Sequence, residues 1–298
     1  MSEVDAPQVS NGQESARARR QRRLARIPLH VAVILICIIW LLPTIGLLVS
    51  SFRPAQLVAT TGWWTAFRDL GQFTLELYEG AIVGTGIGRA FINSIFITIP
   101  ATIIPVMIAA FAAYAFSWME FRGRNLLFVI VVGLIVVPLQ MALIPILRIY
   151  SAIGWTGSFL GIWLAHTGFG LPFAIYLLRN FFGTLPREML ESAYLDGASG
   201  FTAFFRLVMP LSVPALASLI IFQFMWVWND LLIALIFLGG TPDVAPMTVI
   251  IGNLVSSMGA GWQLLTAGAF LSMILPLLVF FALQRYFVAG ITAGSVKG

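Results

Sequence analysis

Six stretches of this chain are apolar and long enough to cross a lipid bilayer, which leaves few folds open. A helix needs about 20 residues to span the hydrocarbon. The stretches run Ile27 to Ser50, Ala90 to Ser117, Leu126 to Leu147, Phe159 to Leu178, Ala215 to Leu238 and Leu264 to Leu283. Only 10% of the 298 residues are charged and 59% are hydrophobic, whereas a soluble domain carries about 25% charged residues. Such a chain cannot cover a water-facing surface. Backbone groups in hydrocarbon must pair internally, and the alternating ten-residue segments of a barrel are absent, so helices remain. The expected fold class is an all-α integral membrane protein with six transmembrane helices. One cysteine, Cys37, allows no intrachain disulfide.

Prolines interrupt the spans: Pro43 in the first, Pro100 and Pro105 in the second, Pro138 and Pro145 in the third, Pro172 and Pro276 in the fourth and sixth. Membrane helices tolerate them where neighbours satisfy the freed carbonyls.

The net charge of +5 is placed for topology rather than for nucleic acid. Arg17, Arg19, Arg20, Arg22, Arg23 and Arg26 directly precede the first apolar run, and juxtamembrane basic clusters set orientation. With the N-terminus inside, thirteen basic residues fall in cytoplasmic segments against four outside, Arg53, Arg68, Arg89 and Arg148. Both termini are thus expected in the cytoplasm of a multi-pass inner-membrane protein. The chain divides into a basic tail (1–26), a transmembrane domain (27–289) and a C-terminal tail (290–298). Outside, Ser51 to Arg89 carries Trp63, Trp64 and Phe67, which suit the membrane interface. Pro246 to Met258 is too short to span and reads as interfacial or re-entrant.

Between the fourth and fifth spans, residues 185–214 read as a helix, a sharp turn and a second helix. Pro186 fits a first turn, Asp196-Gly197 a helix end, and Ser199 a cap. Phe201, Phe204, Phe205 and Val208 make an apolar ridge at helical spacing. Such a ridge needs a cover, and spacing alone leaves two open: the protein's own helices or a partner's groove.

This stretch resembles the EAA loop of permease subunits in ATP-binding-cassette importers. Glu191, Ala193, Asp196, Gly197, Ala198, Phe204, Pro210, Leu211 and Pro214 fall at the pattern's spacing, with Ser192 and Leu207 as departures. Pro138-Leu-Gln140, Gly170-Leu-Pro-Phe173, Phe224-Met-Trp-Val-Trp-Asn-Asp230 and the ending from Gln284 are similar to permeases of maltose-type carbohydrate importers. The resemblance implies the type I importer permease fold, a five-helix transport core with the first span wrapped around it. It also implies four partners: a homologous second permease, an ATPase dimer, an extracytoplasmic solute-binding protein and membrane lipid. Glu188, Glu191, Ala193, Asp196, Gly197, Ala198, Phe204 and Pro210 would form the ATPase-coupling loop. Within it, Glu191 and Asp196 would make polar contacts, Gly197 would permit the turn and Phe204 would dock. For Asp196 a bond to its own backbone stands as the alternative.

The chain is no ATPase by its own residues. A phosphate-binding loop ends Gly-Lys-Ser/Thr, and the single lysine here is Lys297. ATP and magnesium would sit on the partner, with no cofactor bound by this chain. His30 and His166 are too far apart to make a metal site; His166 reads as a hydrogen-bonded helix contact. Candidates for a solute path are Asn93, Gln140, Trp226, Trp228, Asn229 and Asp230. Asp230, the acid placed deep in a span, either lines the path or makes a fixed bond to another helix. An ion-coupled secondary carrier using Asp230 is the alternative function. The importer reading implies a sugar cargo, a di- or oligosaccharide such as an α-glucoside.

Overall fold

The computed structural model describes residues 26–254 and 261–293, with side chains to residue 285. Five of the six N-terminal arginines and Lys297 lie outside the described residues. Every regular element among the described residues is helical. In chain order the α-helices are α1 (Ile27–Ser51), α2 (Ala55–Thr60), α3 (Glu76–Gly84), α4 (Ile87–Trp118), α5 (Arg124–Leu134), α6 (Leu139–Ala152) and α7 (Phe159–Phe182). There follow α8 (Arg187–Leu195), α9 (Gly200–Ala203), α10 (Met209–Leu211), α11 (Val213–Trp228), α12 (Leu232–Leu238), α13 (Met247–Leu254) and α14 (Trp262–Ala293).

α1, α4, α7 and α14 are each long and apolar enough to cross a membrane as one helix. Two expected spans are not continuous helices. The third is broken, with α5 and α6 meeting at 100°. Pro138 stands at the break with ψ 121°; a proline cannot continue the ladder, and it pushes the residue before it out of helical geometry. The fifth, expected from Ala215 to Leu238, ends at Trp228 and restarts at Leu232. α11 also meets the segment Gly200–Leu211 at 76°.

α4 is the axis of the bundle, packed along α7 and α11. Its buried face carries Ala90, Ala101, Ala109, Ala110 and Ala113, and small residues let apolar helices approach closely. α14 packs on α11, α1 and α3. α1 sits at the periphery, with only Gly46 and Ser51 buried. Gly46 is required there, since a Cβ would lie 2.7 Å from the Trp63 indole nitrogen.

The prolines explain three of the cross-helix hydrogen bonds. Pro100 leaves the Phe96 carbonyl without its N–H partner four residues on, and Trp163 Nε1 of α7 donates to it at 3.0 Å. Pro105 likewise frees the Ala101 carbonyl, which accepts from Gln223 Nε2 of α11 at 3.1 Å. Pro276 frees the Ser272 carbonyl, which accepts from Trp228 Nε1 at 2.9 Å. Each of these three sites is thereby stitched to a neighbouring helix.

Residues 52–86 form a folded cap over one end of the bundle, built on Arg53. This arginine is 1% exposed. Its guanidinium donates to Gln72 Oε1 at 2.8 Å, the Gly62 carbonyl at 3.2 Å, and the Thr61 and Thr65 hydroxyls. Beyond its place among the outer basic residues, Arg53 is a buried hub whose planar fork joins four residues. α13, read as interfacial or re-entrant, packs with Met247 and Val249 buried, and the Met247 N–H donates to Ser94 Oγ at 2.8 Å.

Candidate functional site

At the opposite end of the bundle from that cap, α8, α9 and α10 make a bent hairpin. Its turn follows from the residues at the end of α8. The Gly197 N–H donates to the Tyr194 carbonyl at 3.0 Å and the Ala198 N–H to the Ala193 carbonyl at 2.9 Å. That pairing is a Schellman closure, which needs a left-handed residue, and Gly197 has φ 85°. Ser199 then caps α9, its Oγ accepting the Thr202 N–H at 3.2 Å. After α9 the chain runs through a π-helical turn, Phe204–Val208, before α10 and α11.

The apolar ridge splits between two environments. Phe204 and Val208 are each 1% exposed. Phe204 stacks on Phe111 of α4, centroids 4.7 Å apart, and meets the Tyr114 ring edge-on at 5.3 Å. The expectation that Phe204 docks on a partner is therefore corrected: its ring is covered by α4. Phe201 is 68% exposed and Leu195 89%, with Tyr194 and Phe205 also at the surface. Residues four apart share a face, so 204 and 208 turn inward together while 201 and 205 turn out.

Glu188, Glu191 and Asp196 are all exposed, and none makes an ion pair among the described residues. A bond from the Asp196 carboxylate to its own backbone, the alternative for this residue, is not seen among the described residues. Ala193 and Ala198 are half-buried at the Schellman turn, and Pro210 is exposed.

The solute-path candidates do not gather in one place. Asn93 is buried and donates from Nδ2 to the carbonyls of Asp243 (3.0 Å) and Ala245 (3.1 Å), holding the segment before α13. Trp228 is 3% exposed, bonded to Ser272 and stacked on Phe224, so its face is not free. Asn229 is exposed and donates to the Met225 carbonyl at 2.7 Å. Gln140 is exposed at the start of α6.

Asp230 is not inside a continuous helix. It stands in the break after α11, where its carboxylate accepts the N–H groups of Ile233 (3.3 Å) and Ala234 (2.9 Å) and starts α12. The Thr248 hydroxyl donates to its carbonyl at 2.6 Å. His166 Nε2 lies 3.8 Å from Asp230 Oδ2. The distance is beyond a hydrogen bond, and His166 Nδ1 has no partner among the described residues. The expected hydrogen-bonded role of His166 is thus corrected to a packed neighbour of Asp230, edge-on to Trp226 at 5.1 Å.

Trp226 instead lines a groove of about 260 Å³ between α7 and α11, with Phe169, Phe173, Phe222, Gly170 and Gln223. Of these, only Trp226 is among the solute-path candidates; Gly170 and Phe173 belong to a stretch that carries the importer resemblance, but not as path residues. A signal existed: Gly170 sits inside a helix, where glycine costs stability. A Cβ there would lie 2.7 Å from Gln223 Oε1, so the glycine makes room for the amide. A larger apolar groove, about 620 Å³, lies in the crook of α5, α6 and α7.

Residues 105–293 match the model of the family described as binding-protein-dependent transport system inner membrane component. The chain is 58% identical to the osmoprotective compounds uptake permease protein of Synechocystis, covering 91% of this chain and 92% of the relative. It is 42% identical to the alpha-glucoside transport system permease protein of Rhizobium meliloti, over 90% and 96% of the two chains. Its fold matches a chain in the crystal structure of a bacterial ABC transporter involved in alginate import, with TM-score 0.73 at 20% identity, covering 90% of this chain and 98% of that one.

Proposed function

From the premise that this chain belongs to the family of binding-protein-dependent transport system inner membrane components, as the permease subunit of an ABC importer, we propose the following role. It forms half of a transmembrane pathway for a small sugar, an α-glucoside being the first choice. A homologous second permease supplies the other half, and a solute-binding protein delivers the cargo. ATP and magnesium belong to the partner ATPase, and the α8–α10 hairpin is the joint to it, facing the cytoplasm.

One observation carries this reading. The hairpin is locked by its own backbone at Gly197 and anchored by Phe204, yet presents Phe201 and Leu195 beside the unpaired Glu188, Glu191 and Asp196. Exposed apolar side chains and exposed carboxylates on one short, rigid hairpin suit a protein groove. The cargo rests on the relatives' names and on the aromatic groove of Phe169, Phe173 and Trp226, since aromatic faces suit sugar rings. The ion-coupled alternative loses its footing because the Asp230 carboxylate already caps α12.

The test is uptake by vesicles holding this chain, the second permease and the ATPase. With loaded binding protein, accumulation of an α-glucoside should require internal ATP and persist when the proton gradient is collapsed. Uptake that follows the gradient and ignores ATP sinks the proposal.

A further inference from the structure

We infer that the Tyr114 hydroxyl is a positioning group that passes movement of the hairpin into α4. This rests on the reading that the hairpin docks on the ATPase. Tyr114 is 7% exposed, near the end of α4. Its hydroxyl donates to the Gly200 carbonyl at 3.1 Å, which leaves its oxygen to accept from the Tyr194 hydroxyl at 2.9 Å. Tyr194 lies in the last turn of α8 and Gly200 opens α9, so one oxygen joins both arms of the hairpin across the Gly197 turn.

Phe111 and the Tyr114 ring already hold Phe204 by apolar contact. Such contact is non-directional; it resists pulling apart but lets the hairpin slide or roll. Hydrogen bonds fix angle as well as distance. The two bonds at Tyr114 therefore make a turn of the hairpin a turn of α4. At the other end of α4, about 32 Å away along the helix, Asn93 and Ser94 bind the segment 243–247. α4 is thus held by polar bonds to the hairpin at one end and to the α12–α13 connection at the other.

Tyr114→Phe in the complete vesicle complex tests this, with solute taken up and ATP hydrolysed measured together. The ring stays packed, so the ATPase should remain bound. The solute carried per ATP should fall by roughly fivefold, the worth of about 1 kcal/mol of hydrogen bonding. Tyr194→Phe should lower the same ratio, and the double variant should be no worse than Tyr114→Phe alone. A wild-type ratio in Tyr114→Phe with the ATPase bound overturns the inference and leaves the docking reading intact. A wild-type complex that binds no ATPase through the hairpin overturns both.

Discussion

Single side chains hold this bundle at three of the prolines that weaken its helices. Pro100, Pro105 and Pro276 each strip one carbonyl of its N–H, and Trp163, Gln223 and Trp228 each supply the replacement. An unpaired carbonyl away from water costs about 1–3 kcal/mol. Trp228→Phe should therefore lower stability in detergent by about 1 kcal/mol, partly softened because unfolded membrane chains find other partners. Adding Pro276→Ala restores a backbone N–H four residues after Ser272, so the double variant should regain most of the lost Tm. A double variant less stable than Trp228→Phe would show that the indole does something other than satisfy that carbonyl. The prolines were plain in the sequence, but their donors were not. The paired residues stand 44, 67 and 122 positions apart, and nothing local selects among the many indoles and amides.

At the scale of elements, the hairpin shows how far a repeating pattern reaches. Its helix, turn and capped second helix were legible, because Pro186, Gly197 and Ser199 act on their own neighbours. The ridge was legible as apolar but not as two faces. Which half is covered depends on Phe111 and Tyr114, some ninety residues earlier in the chain. The two phenylalanines should accordingly fail in different ways. Phe204→Ala empties a buried site and should cost about 3–5 kcal/mol of stability, seen as a lower Tm and poor assembly. Phe201→Ala removes an exposed ring and should leave Tm unchanged while weakening ATPase binding by roughly tenfold or more, as for an aromatic interface anchor. Equal losses of Tm in the two variants would contradict the division of the ridge.

For the molecule as a whole, the proposed orientation puts the hairpin in the cytoplasm and the Arg53 cap outside. With Cys37→Ser as background, Phe201→Cys should react with a membrane-impermeant thiol reagent only from the cytoplasmic side, and Phe67→Cys, at a site 61% exposed, only from the outer side. Labelling of both from one side would reject this topology. The sequence by itself determined that the chain lives in a membrane, that it is helical, where prolines weaken it and how the hairpin turns. All of these are set by composition or by residues within one or two helical turns. Only the tertiary structure decided that the third and fifth spans are interrupted, that Asp230 starts a helix beside His166, and that Trp226 rather than Trp228 faces a groove. In a bilayer the contrast that marks a buried face in water is missing, because a side chain against lipid and one against a neighbouring helix are equally apolar. Which neighbour each residue meets is fixed by the packing of helices far apart in the chain.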